Sequence, residues 1–274
     1  MNICFIGGGN MATALIGGML GKGFAAAQIS VVEINAENRL RLQRDFAVRA
    51  VESLAEGVAG SQVIVLAVKP QQLHEVAQQL APLLSGQLLI SIAAGIRAVD
   101  LARWSGSGAV VRAMPNTPAL VQSGMTGLYA MPEVSAAQRE QAQTILTSVG
   151  DVLWLDDEAM LDAVTAISGS GPAYVFYFIE ALERAALELG FVADDARRLS
   201  LATFLGASKL AASSKDGPGV LREKVTSKNG TTERALLSMA ASDVAAHIVQ
   251  AAKAAAERAR EMGDEMGNVS GGNK

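Results

Sequence analysis

Apolar and polar positions follow two different patterns along the chain. Up to residue 155, short apolar runs of strand length alternate with stretches of helical spacing. The strand candidates are 2–6, 29–34, 63–68, 88–92, 109–113, 127–130 and 152–155, and the helix candidates between them are 11–20, 37–45, 73–84 and 136–148. Because Val, Ile and Leu fill these strands, the pattern predicts a mainly parallel sheet covered by helices on both faces.

After residue 155 the apolar spacing becomes helical almost everywhere. Helix candidates cover 161–168, 173–189, 195–213, 220–225 and 233 to about 262, with Gly, Pro and Asn between them. Residues 263–274 are polar and glycine-rich, and we expect them to fray. The sequence therefore predicts an α/β fold with a doubly wound domain over 1–155 and an all-helical domain over 156–274. So much Ala with few aromatic side chains suggests that a second copy completes the helical core, as a homodimer.

A glycine-rich turn joins the first strand candidate to the first helix candidate. Its spacing, Gly7-x-Gly9-x-x-Ala12, is that of Rossmann-type dinucleotide-binding folds. Gly7 permits the tight turn, Gly9 lets a pyrophosphate approach the backbone, and the positive end of the helix attracts phosphate. A tight turn without a ligand is the alternative. The cofactor contacts predicted here are Ile6, Gly7, Gly8, Gly9, Asn10 and Met11.

Three later strand candidates end in unusual loops, and parallel strands bring such ends to one edge of the sheet. One loop carries Lys69 followed by Pro70, one offers small side chains against which a nicotinamide ring could lie, and one holds Asn116 between two prolines. A solvated lysine and tight packing would explain the first two equally well. The cofactor contacts predicted from these loops are Ala67, Val68, Lys69, Pro70, Ala93, Ala94, Gly95 and Asn116.

Composition narrows the classes of function. Half of the 274 residues are hydrophobic and 18% are charged, which suffices for two domain cores. The formal net charge of −4, without any Lys/Arg block, argues against nucleic-acid binding. The one cysteine, Cys4, lies in a strand candidate, so we interpret it as a core residue in a reducing, cytoplasmic setting. We expect no signal peptide, no membrane span and no metal site.

The helical half has a polar loop of its own. Residues 225–232 read Val-Thr-Ser-Lys-Asn-Gly-Thr-Thr and precede a helix candidate. Hydroxyls and free amides at a helix start suit a small carboxylate. An ordinary N-cap made by Thr231 or Thr232 explains the same residues, and the pattern alone does not decide between the two.

Taken together, these segments resemble pyrroline-5-carboxylate reductases along nearly the whole chain. The matching segments are 6–12, 67–70, 115–118, 168–174 and 225–232, in that order. The resemblance implies a Rossmann domain and a helical domain whose long helices interleave in a homodimer; some family members assemble further, into decamers. It also implies the last step of proline synthesis, in which a hydride from NAD(P)H reduces the imine carbon of Δ1-pyrroline-5-carboxylate to give L-proline.

The resemblance also assigns substrate residues. It implies that Ser227, Gly230, Thr231 and Thr232 hold the substrate carboxylate and ring nitrogen, with Thr232 as the catalytic residue that orients the nitrogen. It places Glu158 near the substrate. The chain departs from the family pattern where Lys228-Asn229 replaces Pro-Gly, and where Lys215 replaces a glutamate. Because Asn tolerates a left-handed backbone, we expect the substrate turn to survive.

The choice of cofactor depends on the end of the second strand candidate. Glu33 follows Ala12 by 21 residues, where an acidic side chain would bind the ribose hydroxyls of NAD and repel a 2′-phosphate. Asn35 and Arg39 follow closely, and either could meet a phosphate instead. Members of the family use both cofactors and commonly prefer NADPH. The resemblance therefore implies NADPH, with NADH possible.

Two other functions are compatible with this organisation. A β-hydroxyacid-dehydrogenase-like enzyme shares the two-domain plan, but its catalytic lysine motif is approached only at Gly206-Ala207-Ser208-Lys209, without the Asn that should follow. A non-catalytic NAD(P)H-binding sensor would be favoured by an eroded substrate loop. The Lys228-Asn229 change is a small step in that direction, whereas the retained Ser227, Gly230, Thr231 and Thr232 argue against it.

Overall fold

The computed structural model describes residues 1–268. The chain divides into two compact units. One, which we call the sheet unit, comprises Met1–Ser170 together with residues 255–268, and the other, the helical unit, comprises Gly171–Ala254. The domain boundary expected after residue 155 stays a prediction, while the compact units change at Ser170.

The sheet unit is built on eight strands in the order β3-β2-β1-β4-β5-β6-β7-β8. Their bounds are β1 Ile3–Ile6, β2 Ile29–Val32, β3 Arg49–Val51, β4 Val63–Leu66, β5 Leu88–Ser91, β6 Val110–Met114, β7 Gly124–Ala130 and β8 Gly150–Leu155. Neighbouring strands are parallel except β6 and β7. The predicted parallel-dominated sheet is confirmed. The edge strand β3 was not predicted.

Cores lie on both faces of this sheet. Along β1, Ile3 and Phe5 belong to one buried cluster, and Cys4 and Ile6 belong to another. Successive side chains of a strand point to opposite faces, so each cluster fills one side. The helices of this unit are α1 Asn10–Gly21, α2 Ala36–Phe46, α3 Leu54–Val58, α4 Pro70–Leu80, α5 Ala98–Ser105, α6 Ala136–Leu146 and α7 Met160–Val164. A single turn of π-helix over Thr165–Gly169, which we call the π-turn, follows α7.

The segment after residue 155 packs on the sheet. A Cβ added to Gly127 on β7 would lie 2.8 Å from Val164 and 3.0 Å from Leu161. Only a glycine therefore lets α7 approach the strand so closely. This contact explains why residues up to Ser170 form one compact unit with the strands.

The helical unit consists of α8 Gly171–Glu188, α9 Ala193–Ser213, α10 Pro218–Lys224, α11 Thr231–Ala241 and the first part of α12 Val244–Asn268. Between Gly171 and Ala254 the buried residues are Ala196 and Ser200. Large apolar side chains on α8, α9 and α11 are exposed instead. Within one chain, this unit therefore has almost no hydrophobic core.

Two expectations about the last helices were wrong. The helix predicted over 233 to 262 is two helices, because Asp243 has a left-handed φ of 50° and the helix axes on either side bend by 53°. Fraying from residue 263 does not occur up to Asn268, since α12 continues to that residue. The remainder of the segment expected to fray, 269–274, lies outside the described residues.

Within residues 1–268, no single helix has both the length and the hydropathy needed to cross a membrane. One bent pair, Thr231–Ala241 with Val244–Gly267, meets those criteria only when the two helices are taken together.

Candidate cofactor and substrate sites

The carboxyl ends of four parallel strands lie side by side in the sheet unit. Ile6 at the end of β1 pairs with Leu66 at the end of β4, and Leu66 pairs with Ser91 at the end of β5. Ser91 pairs in turn with Arg112 near the end of β6. The glycine turn and the three unusual loops all start at this edge. The structure therefore brings the predicted cofactor residues together at one place.

The geometry of the glycine turn fits a dinucleotide phosphate. Gly7 has φ +99°, and a Cβ there would lie 2.7 Å from the carbonyl oxygen of Ala67, so only glycine is compatible with this turn. Gly9 is the N-cap of α1 and has no side chain to bond the first helical N–H groups. A Cβ at Gly9 would meet nothing within 4 Å. The space beside this helix start is therefore open, and N–H groups of a first helical turn lack intrahelical partners, as phosphate binding requires.

Polar side chains crowd the end of β2. One carboxylate oxygen of Glu33 accepts the Gly8 N–H at 3.0 Å, and the other accepts the Asn35 N–H at 2.9 Å. The Asn35 side chain caps α2 by accepting the Asn38 N–H. The guanidinium of Arg41, to which no sequence motif pointed, donates to the carbonyl oxygen of Gly8 at 3.3 Å.

The guanidinium of Arg39 is occupied by groups of the protein itself. It donates to the carbonyl oxygens of Glu33 and Ile34 at 2.7 and 2.8 Å. It also pairs with Glu52 at 3.0 Å. Arg39 thus holds the turn between β2 and α2.

The loop from Ala93 to Arg97 is held by the end of α12. Gly95 has φ +74°, and a Cβ there would lie 3.2 Å from the Cβ of Met262. Arg97 donates to Asp264 at 2.6 Å. The small residues predicted to face a nicotinamide ring therefore lie in a loop fixed by contacts from a distant part of the chain.

A buried charge network supports the same loop. Arg112 on β6 is almost fully buried and donates to Glu158 at 3.0 Å. The same Glu158 oxygen accepts the N–H of Ala98 at 2.7 Å, at the start of α5. Asp162 lies 3.8 Å from the Arg112 guanidinium. Glu158 is therefore engaged within the sheet unit, and its expected role toward the substrate stays a prediction.

The position of Asp162 in this network shifts its pKa. Burial raises the pKa of Asp162, and the positive charges of Arg112 and Arg97 only partly oppose that effect. A charge inside an otherwise apolar strand was the sequence signal that could have revealed the network. Arg112 stands in Val-Val-Arg-Ala-Met, and a buried arginine needs carboxylate partners.

Asn116 connects two of the recognised motifs. Its side-chain amide donates to the carbonyl oxygen and to the hydroxyl of Ser168, both at 3.1 Å. Its side-chain oxygen accepts the Met125 N–H at 2.9 Å. Ser168 lies in the π-turn, where Ser170 N–H bonds the carbonyl of Thr165. The amide nitrogen of Asn116 thus holds Ser168 of the π-turn, and its contact with a cofactor stays a prediction.

Lys69 and Pro70 follow β4 as predicted. Lys69 is the exposed N-cap residue of α4, and Pro70 occupies its first turn. Proline suits that position because its missing N–H would have no helical partner.

The polar loop of the helical unit has the backbone of an anion site. Gly230 is the N-cap of α11 and has no capping side chain, so N–H groups of the first turn stay available. A Cβ at Gly230 would lie 2.5 Å from the hydroxyl oxygen of Ser227, so glycine lets the two residues approach. Asn229 adopts the left-handed conformation with φ 59°, as expected, and donates its N–H to Glu233.

Metal-ligand clusters and reactive thiols are the other kinds of chemical site that side chains can form. Among residues 1–268, no group of three His, Cys, Asp or Glu side chains is placed to hold a metal ion. Cys4 is a free, fully buried thiol, and burial raises its pKa to about 11. A neutral thiol is a poor nucleophile, so Cys4 is a core residue as interpreted.

Family models cover most of the chain. Residues 158–262 match the model described as pyrroline-5-carboxylate reductase dimerisation. Residues 2–95 match the model described as NADP oxidoreductase, coenzyme F420-dependent.

Individual proteins resemble the chain over nearly its full length. It is 51% identical to a pyrroline-5-carboxylate reductase of Pseudomonas aeruginosa, over 97% of this chain and 98% of that protein. A pyrroline-5-carboxylate reductase structure from Coxiella burnetii superposes with a TM-score of 0.91 at 37% identity, covering 95% and 98% of the two chains. The Plasmodium falciparum pyrroline carboxylate reductase with NADP bound gives 0.86 at 29% identity, covering 96% and 98%.

Proposed function

Since the chain belongs to the pyrroline-5-carboxylate reductase family, we propose that it reduces Δ1-pyrroline-5-carboxylate to L-proline with NAD(P)H. The observation that carries the proposal is the loop before α11. Its left-handed Asn229 keeps the turn, and Gly230 leaves the helix start free for a carboxylate. Since the turn is kept, the replacement of Pro-Gly by Lys228-Asn229 does not support the alternative of a non-catalytic sensor.

The proposed reaction needs little acid catalysis. The nicotinamide supplies a hydride to the imine carbon, and a protonated imine already carries the proton that the product amine retains. The protein then mainly holds donor and acceptor in contact, which contributes about 7–11 kcal/mol in favourable cases.

The protein's own residues divide this task. In the sheet unit, residues 6–11 receive the phosphates, and Ala67, Val68, Lys69, Pro70, Ala93, Ala94, Gly95 and Asn116 form the rest of the proposed cofactor edge. In the helical unit, Ser227, Gly230 and Thr231 bind the substrate carboxylate, and Thr232 orients the ring nitrogen. We also propose that Glu158 lies near the substrate, since its bond to the N–H of Ala98 fixes its position.

We propose a homodimer as the functional assembly, with a decamer as a further possibility. The exposed apolar side chains of the helical unit support the homodimer. Cytoplasmic action on a small molecule, without nucleic acid or membrane, belongs to the same proposal.

The test is to follow loss of reduced-nicotinamide absorbance with Δ1-pyrroline-5-carboxylate, and to identify L-proline as the product. Thr232→Ala should lower kcat about 10–100-fold, the loss expected for one hydrogen bond to a charged group, and should leave cofactor affinity unchanged. Thr226→Ala is the matched control, because that hydroxyl bonds the carbonyl of Arg222 within the fold. Tight cofactor binding without proline formation would refute the proposed reaction.

A further inference from the structure

We propose that Glu33 and Arg41, instead of Asn35 and Arg39, set the preference between NADH and NADPH. The inference rests on the proposed function, because it concerns the adenosine end of the same cofactor. Each of the two side chains is bonded to Gly8, one to its N–H and the other to its carbonyl oxygen. A negative and a positive group are therefore anchored on the same residue of the glycine turn.

Arg39 is unsuited to bind a 2′-phosphate. Two backbone carbonyls and the carboxylate of Glu52 occupy its guanidinium, and only 19% of the side chain is exposed. Turning it toward a ligand would leave those carbonyls unpaired and would loosen the turn between β2 and α2. Both bonded carbonyls belong to the turn itself, so the contacts are part of the fold.

Asn35 is also engaged. Its side-chain oxygen accepts the Asn38 N–H at 2.9 Å and so caps α2. Its backbone N–H bonds Glu33. Its role is therefore to fix the start of the helix and the orientation of the neighbouring carboxylate.

Glu33 points its carboxylate at the glycine turn. Each carboxylate oxygen accepts one backbone N–H, from Gly8 and Asn35, so the group is oriented before any ligand arrives. The hydroxyls of an unphosphorylated ribose can donate to such a carboxylate. A 2′-phosphate has no such donor and carries like charge, so this carboxylate opposes it.

Arg41 supplies the opposite preference. Its single hydrogen bond, to the carbonyl oxygen of Gly8, is long at 3.3 Å. Among residues 1–268 no ion pair is formed by Arg41, whereas Arg44 on the same helix pairs with Asp45 at 2.8 Å. A guanidinium has five N–H donors in a fork that matches phosphate. Arg41 can therefore meet a 2′-phosphate without giving up a partner charge.

The two groups together predict a chain that accepts both cofactors. With NADH the ribose diol bonds Glu33. With NADPH the cation of Arg41 offsets the carboxylate. Removing Glu33 should therefore favour NADP⁺ over NAD⁺, and removing Arg41 should favour NAD⁺ over NADP⁺.

The experiment measures binding of NADP⁺ and NAD⁺ by calorimetry to the full-length protein, without substrate. Glu33→Gln, which can keep the Gly8 bond through its amide oxygen, should improve the affinity for NADP⁺ relative to NAD⁺ about 10-fold. Arg41→Gln should weaken NADP⁺ about 10-fold or more and change NAD⁺ less than about twofold, the size expected for one charge-assisted contact. Arg44→Gln, the matched arginine on α2, should change neither ratio.

Other results would overturn the inference in recognisable ways. Equal weakening of both nucleotides by Arg41→Gln would mean that Arg41 only supports the glycine turn. A change of ratio in Arg39→Gln, with none in Arg41→Gln, would assign the phosphate to Arg39. If the unaltered protein bound neither nucleotide, the proposed function itself would fail, and the pair would have no cofactor to select.

Discussion

The sheet unit and the helical unit differ in how much of their apolar surface is buried within one chain. In the sheet unit, every side chain of β1, β4 and β5 is buried, and separate cores fill the two faces. In the helical unit the buried residues between Gly171 and Ala254 are Ala196 and Ser200. One unit is complete within a single chain, and the other leaves its apolar surface for another protein surface to cover. The match of residues 158–262 to a dimerisation model agrees with this difference.

The largest expected effect concerns the helical unit. Phe176 on α8 is 64% exposed, and we expect a second copy to cover it. Phe176→Asp should weaken dimerisation by about 4 kcal/mol, or about 1,000-fold, because a symmetric interface loses about 2 kcal/mol of burial at each of two sites. Sedimentation over a concentration series measures this. Leu40→Asp on α2, at 67% exposure in the sheet unit, is the control and should leave assembly unchanged. If Leu40→Asp abolished assembly and Phe176→Asp did not, the assembly surface would lie on the sheet unit instead of the helical unit.

The next effect tests the closed core of the sheet unit. Arg112→Met should destabilise the protein by about 3 kcal/mol, because Glu158 would keep a largely buried charge without its partner. Denaturant unfolding monitored at Trp104 and Trp154 reports the change. Combining Arg112→Met with Glu158→Gln should recover part of the loss. Arg49→Met removes an exposed pair with Glu56 and should cost less than about 1 kcal/mol. Similar losses in both arginine variants would show that burial is not the cause.

The buried thiol of Cys4 should make the stability of the same core depend on pH. Its pKa is raised from 9.0 to about 11 by burial, so the neutral thiol is the form that the folded state favours. The corresponding stability is fully present below pH 9 and is lost as the pH rises through about 11. The loss should amount to about 2–3 kcal/mol. Because other groups titrate there too, the measurement is the difference in unfolding free energy between the unaltered protein and Cys4→Ala. A constant difference between pH 8 and pH 11 would contradict the prediction.

The smallest effect separates folding from binding at the glycine turn. Gly9→Ala adds a Cβ that meets no protein atom within 4 Å, at an ordinary φ of −71°. It should leave the melting temperature unchanged and weaken NADP⁺ about 10-fold, or about 1.4 kcal/mol, by filling space meant for phosphate. Gly7→Ala should instead lower the melting temperature, because its Cβ would strike the carbonyl of Ala67. Unchanged affinity in Gly9→Ala would move the phosphate away from this residue.

Local patterns were sufficient for the sheet and for the backbone of the turns that follow β1 and β4. Strand-length apolar runs, the glycine turn and the proline after Lys69 each depend on neighbouring residues, and the structure confirms them. The edge strand Arg49–Val51 escaped because three residues make too short a pattern, and its first residue is exposed. The break before α12 escaped because Asp243 carries no glycine or proline signal for its left-handed backbone.

The error at the chain end and the unforeseen contacts after β2 had a different origin. Gly263 and Gly267 indicated the end of a helix, yet each lies where a Cβ would crowd a side chain of the sheet unit, Arg97 or Asp100. These glycines permit close packing and do not end α12. Likewise, the sequence left open whether Arg39 could meet a phosphate, and it gave no sign of the contacts with Glu52 and two carbonyls that occupy its guanidinium. Pairings between distant residues decide both cases, and no local pattern records them.

The contact of Met262 with Gly95 has a consequence for protein synthesis. A ribosome makes the N-terminal part of a chain first, and that part begins to fold while the rest is still missing. All eight strands are synthesised before residue 156. The residues that cover the loop after β5 come more than 160 positions later than that loop, at the end of α12. The loop of a newly made sheet unit thus acquires its final support only when residues 262–264 have been synthesised, so a chain terminated before residue 262 would keep the strands and leave the loop uncovered.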